Sequence, residues 1–406
     1  MDRPMAGVRV VEVAMYGFVT SAGAVLADWG ADVLKVEHAV TGDPQRGLRR
    51  TGSFVVEGDL NPNVEHPNRG KRSIGLDISS ESGRAVLDDL VREADVFLTS
   101  LLPSARRRFR IEVDDVRAVN PAVVYARGSA LGARGEEADR GGYDMTAFWA
   151  RGASAASITP PDVEGIITPP APAYGDTISG TNLAGGIAAA LFARERTGEA
   201  SVVDVSLLGS GVWAMGAAID ASLLQGKPWV APRTGTVGSA NPLSALYRTA
   251  DGHHLSLVML QPTRYWADVC RHIDRPDLAD DPRFATFEGI QAHAEEAVAA
   301  LREAFAAHPL AWWTTRLAGL SGPWAPVQDT LQVGADPQVR SNGYIAGVTA
   351  DDGSEYELVT SPVQFDERPP ALRRAPGFAE HTDDVLAGLG YDGDRIIALK
   401  LDGAVT

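Results

Sequence analysis

The feature that most constrains this chain is an alternation in its first 126 residues, where short β-branched runs are separated by segments with helical spacing. Val8-Arg9-Val10-Val11-Glu12-Val13-Ala14 reads as a strand, residues 21–29 as a packed helix of small apolar residues, and Val33-Leu34-Lys35-Val36-Glu37 as a second strand. Residues 74–78, 94–99 and 122–126 repeat the strand pattern, and a capped amphipathic helix spans about residues 80–92. Such an order needs crossover connections rather than hairpins. It predicts an α/β fold with a doubly wound, Rossmann-like sheet and ligands at the carboxyl ends of the strands. The first turn, residues 15–20, lacks the Gly-x-Gly-x-x-Gly phosphate fingerprint, which argues against a nicotinamide dehydrogenase.

A second stretch concentrates the chemistry. Pro170-Ala171-Pro172-Ala173-Tyr174-Gly175-Asp176 holds the chain out of helix, and the small-residue run that follows reads as a helix ending in charged residues and Gly198. Asp176 therefore stands at or near a helix start. Two readings are compatible there. The carboxylate can be an N-cap that accepts the amide hydrogens two or three residues on. It can also be a nucleophile, kept ionised by the helix end while Gly175 and Gly180 leave room for a ligand.

Composition narrows the partners. Among 406 residues, 53 acidic against 37 basic side chains give a net charge of −16, which argues against nucleic acid and anionic membranes as partners. Two basic runs, Arg69 to Arg72 and Arg106 to Arg108, lie near expected strand ends, each as a solvated surface or, together, as a site for a phosphorylated ligand. The only cysteine, Cys270, leaves neither a disulfide nor a cysteine-based metal cluster, and no metal is expected. The N-terminus has no signal-peptide core and no apolar run reaches about 18 residues, so the expected location is cytoplasmic.

Domain organisation follows from the breaks. Residues 1–225 read as the first part of a large domain. Its last segment is a strand at 201–206 and one apolar helix from Leu207 to about Leu224. Residues 39–70 read as a surface loop, and 226–242 as a linker with a glycine loop containing Gly235 and Gly238. Residues 243–330 read as a smaller α+β domain, opening with a hairpin and rich in helix. Residues 331–406 read as a return to the large domain, with strands near 345–348 and 356–363 and a final helix at 382–389. His253 and His254 are adjacent in a strand and face opposite ways, which disfavours a shared metal.

Read together, these segments resemble one family. Residues 7–37 with their Leu26-Ala27-Asp28-Trp29-Gly30-Ala31-Asp32-Val33-Leu34-Lys35-Val36-Glu37 core, the 42–47 loop, Lys71-Arg72-Ser73-Ile74, Gly142-Tyr143-Asp144 and Tyr174-Gly175-Asp176 are similar to the family III coenzyme A transferases. That superfamily includes the formyl-CoA and carnitine-CoA transferases and the α-methylacyl-CoA racemases. The similarity continues at Asp281-Pro282-Arg283-Phe284, Ala325-Pro326-Val327, Asp336-Pro337-Gln338 and residues 380–386, and so runs through nearly the whole chain.

The resemblance implies that Asp176 is the nucleophile, with Tyr143 assisting it by orientation or hydrogen-bond donation. It implies contacts to coenzyme A from Gly17, Phe18, His38, Leu76 and Arg108, and a substrate-covering loop at Gly235 and Gly238. His38 stands where relatives often carry Arg, and Val19-Thr20 replaces a usual Gly-Pro. The implied activity moves coenzyme A from an acyl-CoA thioester to a free carboxylic acid in an interlocked homodimer. Two alternatives remain: a racemase-type isomerase, in whose relatives a His replaces Tyr143, and a non-catalytic acyl-CoA-binding protein. A tyrosine is a poor base at neutral pH, which favours transfer. The residues at 153–167 lean toward an apolar acid.

Overall fold

A computed structural model describes residues 3–52, 54–233 and 241–406. Gly235 and Gly238 lie outside them. Six strands, β1 (Arg9–Val13), β2 (Asp32–Glu37), β3 (Arg72–Gly75), β4 (Val96–Thr99), β5 (Val124–Ser129) and β6 (Val202–Ser206), form one parallel sheet in the order β3-β2-β1-β4-β5-β6. The chain winds outward from β1 to β3, then returns to the other side of β1 and winds to β6. The reversal opens a crevice beyond the carboxyl ends of β1 and β4. There the Met15 N–H donates to the Ser100 hydroxyl at 3.0 Å, tying the two strand ends together.

Both faces of the sheet are covered, which is why its central strands are buried almost throughout and mostly apolar. Successive side chains point to opposite faces, so Val10, Val96 and Leu98 enter one core while Val11 and Phe97 enter the other. The first core is roofed by α1 (Phe18–Asp28), the second by α3 (Glu81–Arg92). Ser80 caps α3 by accepting the Gly83 N–H. Residues 39–70 are not the expected loop throughout: Pro62–Asn68 forms α2, with Asn61 accepting the Asn63 N–H and Pro62 at the first position. Pro and Asn were signals of a helix start there rather than of a turn. A further short helix, α4 (Pro103–Phe109), follows β4.

The long helix α5 (Tyr174–Thr197) lies against α1 in the first core through Leu183, Ala184, Ile187 and Leu191. Gly180 makes that approach possible. A Cβ at Gly180 would stand 2.7 Å from the Phe18 carbonyl oxygen, 2.7 Å from the Ser21 Cβ and 3.0 Å from the Ala22 nitrogen. After β6 the expected single apolar helix is two, α6 (Leu207–Ala214) and α7 (Gly216–Gln225), bent by 71° at Met215. At the carboxyl end of the chain, α8 (Thr382–Gly388) and α9 (Gly393–Leu401) contribute Val385, Leu386 and Leu399 to the second core, and α9 was not read from the sequence.

The chain divides into two compact units. One contains residues through Ile158, Ile166–Trp229 and Pro337–Thr406, and the other Thr159–Gly165 and Val230–Asp336. The second has its own antiparallel sheet of β7 (Ser244–Arg248), β8 (His254–Val258) and β9 (Trp324–Pro326), in the order β9-β8-β7. Its core gathers Tyr247, Trp266, Phe284, Phe305 and Trp313. In the first unit, residues Ile345–Thr349 and Glu355–Val359 pair as an antiparallel ribbon.

Two glycines of α5 test the close approach. Gly180→Ala should lower stability by about 1–3 kcal/mol, because a backbone atom stands in the way of the new methyl group. Gly185→Ala, where nothing lies within 4 Å, should raise it by about 0.5–1 kcal/mol. Urea unfolding of the two variants checks both signs.

Candidate active site

The site is assembled by two helix starts. Helix α1 begins immediately after Gly17, in the crevice beyond β1, and α5 begins at Tyr174 behind Ala173, whose backbone is left-handed at φ 54°. Pressing α5 onto α1 at Gly180 brings Asp176, one turn earlier on the same face, against Gly17. A Cβ at Gly17 would stand 2.7 Å from Asp176 Oδ2, so only glycine lets this carboxylate lie on the loop of the crevice. Gly175 likewise gives room to the Phe148 ring, 2.5 Å from where its Cβ would be.

Asp176 is not the N-cap. The cap position is Ala173, no side chain caps α5 there, and Asp176 is its third residue. The Gly175 N–H instead donates to Asp144, which also receives the Met145 N–H. Asp176 thus sits beside a second carboxylate, and no hydrogen-bond donor among the described residues reaches it. Burial first, and the neighbouring Asp144 second, push the Asp176 carboxyl up to about 7. The Asp144 carboxyl is also raised by burial, and its two backbone amides pull the other way. The expectation that the helix end keeps Asp176 ionised is corrected here: burial outweighs it, and Asp144 takes the nearest amide. A desolvated carboxylate with few hydrogen bonds, half ionised near neutrality, is a competent nucleophile.

The other residues singled out in the sequence are placed unevenly. Tyr143, 58% exposed, adjoins Asp144 and meets Tyr16 edge to face, with ring centroids 5.5 Å apart at 87°. Phe18 opens α1 with its ring buried, in the first core near Gly128. His38 is exposed at the end of β2, and its Nδ1 accepts the N–H groups of Val40 and Thr41 at 3.2 and 3.3 Å. Leu76 is 1% exposed in the second core, and its N–H donates to the Glu37 carbonyl. Arg108 is exposed on α4 with its guanidinium 5.4 Å from the Phe109 ring. Gly17, Tyr143 and Asp176 therefore converge on the crevice loop, whereas Phe18 and Leu76 direct their side chains into the cores.

Each charge of the first basic run is paired with a carboxylate, and Arg69 and Lys71 are buried, with Arg72 partly exposed. Arg69 is buried and pairs with Asp28 at 2.7 Å, Lys71 is buried and donates to both oxygens of Glu12 at 2.8 Å, and Arg72 pairs with Asp32 at 2.6 Å. Burial brings the Lys71 ammonium down to about 8. In the second run, Arg106 is buried against Glu112 and Arg107 pairs with Asp139. Lys71 belongs to a wider network that sequence reading missed. Lys35, fully buried, reaches Asp43 at 2.8 Å and donates to the Ala14 carbonyl, and Asp43 accepts the Tyr16 N–H at 3.3 Å. The available signal was a charge inside each apolar strand, Glu12 in β1 and Lys35 in β2, because a charge buried there needs a partner.

Raising the Asp176 carboxyl has a stability consequence with a definite sign. Below the ordinary carboxylate range both folded and unfolded chains hold the proton and nothing is lost. As pH rises toward 7 the unfolded chain ionises first, so stability falls. Asp176→Asn removes that penalty. It should be more stable than the wild type at pH 8, by on the order of 2–4 kcal/mol, with the gap closing toward pH 4. Denaturant melts across that range check it.

Comparison with known proteins agrees with this arrangement. The family model for CoA-transferase family III matches residues 5–382. The chain is 28% identical over 397 residues to (R)-2-hydroxy-4-methylpentanoate CoA-transferase of Clostridioides difficile, covering 98% of each chain. It is 28% identical to cinnamoyl-CoA:phenyllactate CoA-transferase of Clostridium sporogenes, covering 98% of this chain and 96% of that one. Its fold matches the crystal structure of a CaiB/BaiF family protein from Brucella suis with a TM-score of 0.80 at 27% identity, covering 96% of this chain and 100% of that one. An Asp176 carboxylate lodged on Gly17 at the switch point of the sheet thus sits in a chain that matches one family from residue 5 to residue 382, and the chain belongs to CoA-transferase family III.

Proposed function

We propose that Asp176 carries coenzyme A between two acids by becoming covalently acylated. The chain is an acyl-CoA:carboxylate CoA-transferase, and this reading concerns how it performs the transfer. An Asp176 oxygen attacks the donor thioester carbonyl and the C–S bond breaks, giving a mixed anhydride and CoA thiolate. The thiolate attacks the aspartyl carbonyl of the anhydride, which releases the donor acid as carboxylate and leaves an aspartyl-CoA thioester. The acceptor carboxylate attacks that thioester, regenerating thiolate and a new anhydride. The thiolate then attacks the acceptor acyl carbon, forming the new acyl-CoA and freeing Asp176. No net proton is consumed, and each tetrahedral intermediate needs a donor at its oxyanion, a role that suits Tyr143. The observation that carries this reading is the Asp176 carboxylate packed on Gly17, with no hydrogen-bond donor to it among the described residues and its carboxyl raised to about 7.

By class, we assign an acid with an apolar side chain. Two relatives are named for such acids, 2-hydroxy-4-methylpentanoate and phenyllactate, and Ile158 and Ile166 are exposed ahead of α5. A homodimer is part of the proposal. Helix α7 is apolar yet buries none of its residues, and Trp213, Leu223 and Leu224 are 82%, 77% and 89% exposed. Large apolar side chains left this exposed on two successive helices suit cover by a second copy of the chain.

Asp176→Ala should reduce exchange between an acyl-CoA donor and a free acid to the rate without protein. Mass spectrometry of wild-type chain incubated with donor alone should find the acyl or CoA adduct on the peptide containing Asp176, and exchange retained by Asp176→Ala would remove the mechanism. Because the ionised form attacks, kcat/KM should rise as pH increases through about 7 and then level off. Solvent deuterium entering the α carbon of a 2-methylacyl-CoA would support an isomerase instead. Leu223→Asp with Leu224→Asp should shift the sedimentation of the protein from dimer toward monomer.

A further inference from the structure

Tyr16 is held in a backbone conformation that a tyrosine rarely adopts. It is a non-glycine residue with φ 64°, a left-handed conformation that costs a bulky side chain energy, and it lies directly before Gly17, the residue that touches Asp176. Two hydrogen bonds of its backbone keep it there. Its N–H donates to Asp43, whose other oxygen is held by the buried Lys35 ammonium at 2.8 Å, and its carbonyl accepts the Thr20 hydroxyl one turn into α1. Backbone strain fixed from both sides beside a nucleophile points to a side chain that must be aimed.

The side chain is aimed at Tyr143. The rings meet edge to face at 5.5 Å and the Tyr16 hydroxyl hydrogen-bonds to that of Tyr143. The contact with Tyr143 raises the Tyr16 phenol above its ordinary range, with burial and Asp43 acting in the same direction. A phenol oxygen that accepts one hydrogen bond must turn its own proton elsewhere, and a donor in a chain of hydrogen bonds is strengthened by the bond it receives. Tyr143 precedes Asp144 and Tyr16 precedes Gly17, the two residues that adjoin the Asp176 carboxylate, so the tyrosine pair joins the two segments that meet at Asp176.

We propose that Tyr16 is the positioning residue for Tyr143: the Asp43–Lys35 pair holds it in its left-handed turn, and its hydroxyl directs the Tyr143 proton toward the acyl oxygen at Asp176. The proposal rests on the transfer reading above. Tyr16 acts through Tyr143 and not on the substrate itself.

A double-mutant cycle tests it. Tyr16→Phe keeps the ring and the turn, and should lower kcat about tenfold while KM for the CoA ester stays within about twofold. In a Tyr143→Phe chain, adding Tyr16→Phe should change kcat no further, because the group through which it acts is gone. An undiminished loss in that background, or no loss in the single variant, overturns the proposal. Should Tyr16→Phe melt early, nuclear magnetic resonance of ring-labelled tyrosine carries the test: Tyr143→Phe should bring Tyr16 ionisation down toward the usual tyrosine range, and an unmoved titration overturns the pairing. That second arm needs no turnover. A wild-type chain that exchanges CoA with no acid would sink the transfer reading while the titration still decides whether the tyrosines are coupled.

Discussion

Everything at the site depends on how closely two helices touch. Helix α5 reaches the backbone of α1 at Gly180, and the same approach, one turn earlier, sets Asp176 on Gly17. Interiors are packed tightly enough that an added methyl group at either glycine would force the helices apart. Closeness also makes the chemistry. The carboxylate is desolvated because α1 occupies the place of its water, and that desolvation, more than Asp144, lifts its carboxyl to about 7. Packing and reactivity are therefore the same fact at this position, and the cost of burying the acid is met by the cores that α1 and α5 close over the sheet.

A second, quieter constraint lies under the crevice. Glu12, Lys35, Glu37, Asp43 and Lys71 are all buried at the carboxyl half of β1 and β2 or beside it, and Arg46 reaches in to Glu37 at 2.6 Å. Buried charges stabilise poorly, since desolvation consumes most of what pairing returns, but removing one partner leaves the other stranded at large cost. Such a network works less as an adhesive than as a template. Its arrangement places the Ala14 carbonyl and the Tyr16 N–H of the first loop and the Thr20 carbonyl in the first turn of α1 on Lys35, Asp43 and Lys71.

Much of this was legible in the sequence, for identifiable reasons. Periodicity exposed the six strands because a sheet covered on both faces needs continuous apolar runs, and the Ser80 cap marked α3 at its first residue. Asp176 stood out as a carboxylate near a helix start, whereas Gly17 entered only through the family resemblance, as a coenzyme A contact. What failed was whatever depends on a partner distant in sequence. The run Arg69 to Arg72 looks like a surface until Asp28, Glu12 and Asp32 are seen opposite each side chain. An aspartate near a helix start looks like a cap until Asp144 is found taking the amide. Asn61-Pro62 has the composition of a loop and the geometry of a helix start, and local sequence does not separate the two.

The two departures from the family resemblance acquire a physical meaning together with Tyr16. His38, where Arg is usual, spends its Nδ1 on the amides of Val40 and Thr41 and so shapes the turn after β2. Val19-Thr20, where Gly-Pro is usual, keeps α1 regular down to Phe18 and supplies a hydroxyl that closes onto the Tyr16 carbonyl. A proline at that position could offer no hydroxyl, and the left-handed turn at Tyr16 would lose one of its two backbone hydrogen bonds. Strain of this kind persists only where the surroundings over-determine it. A strained tyrosine and a threonine in place of proline therefore belong to one device, in which the loop gives up a pre-bent backbone and receives in exchange a phenol aimed across the crevice.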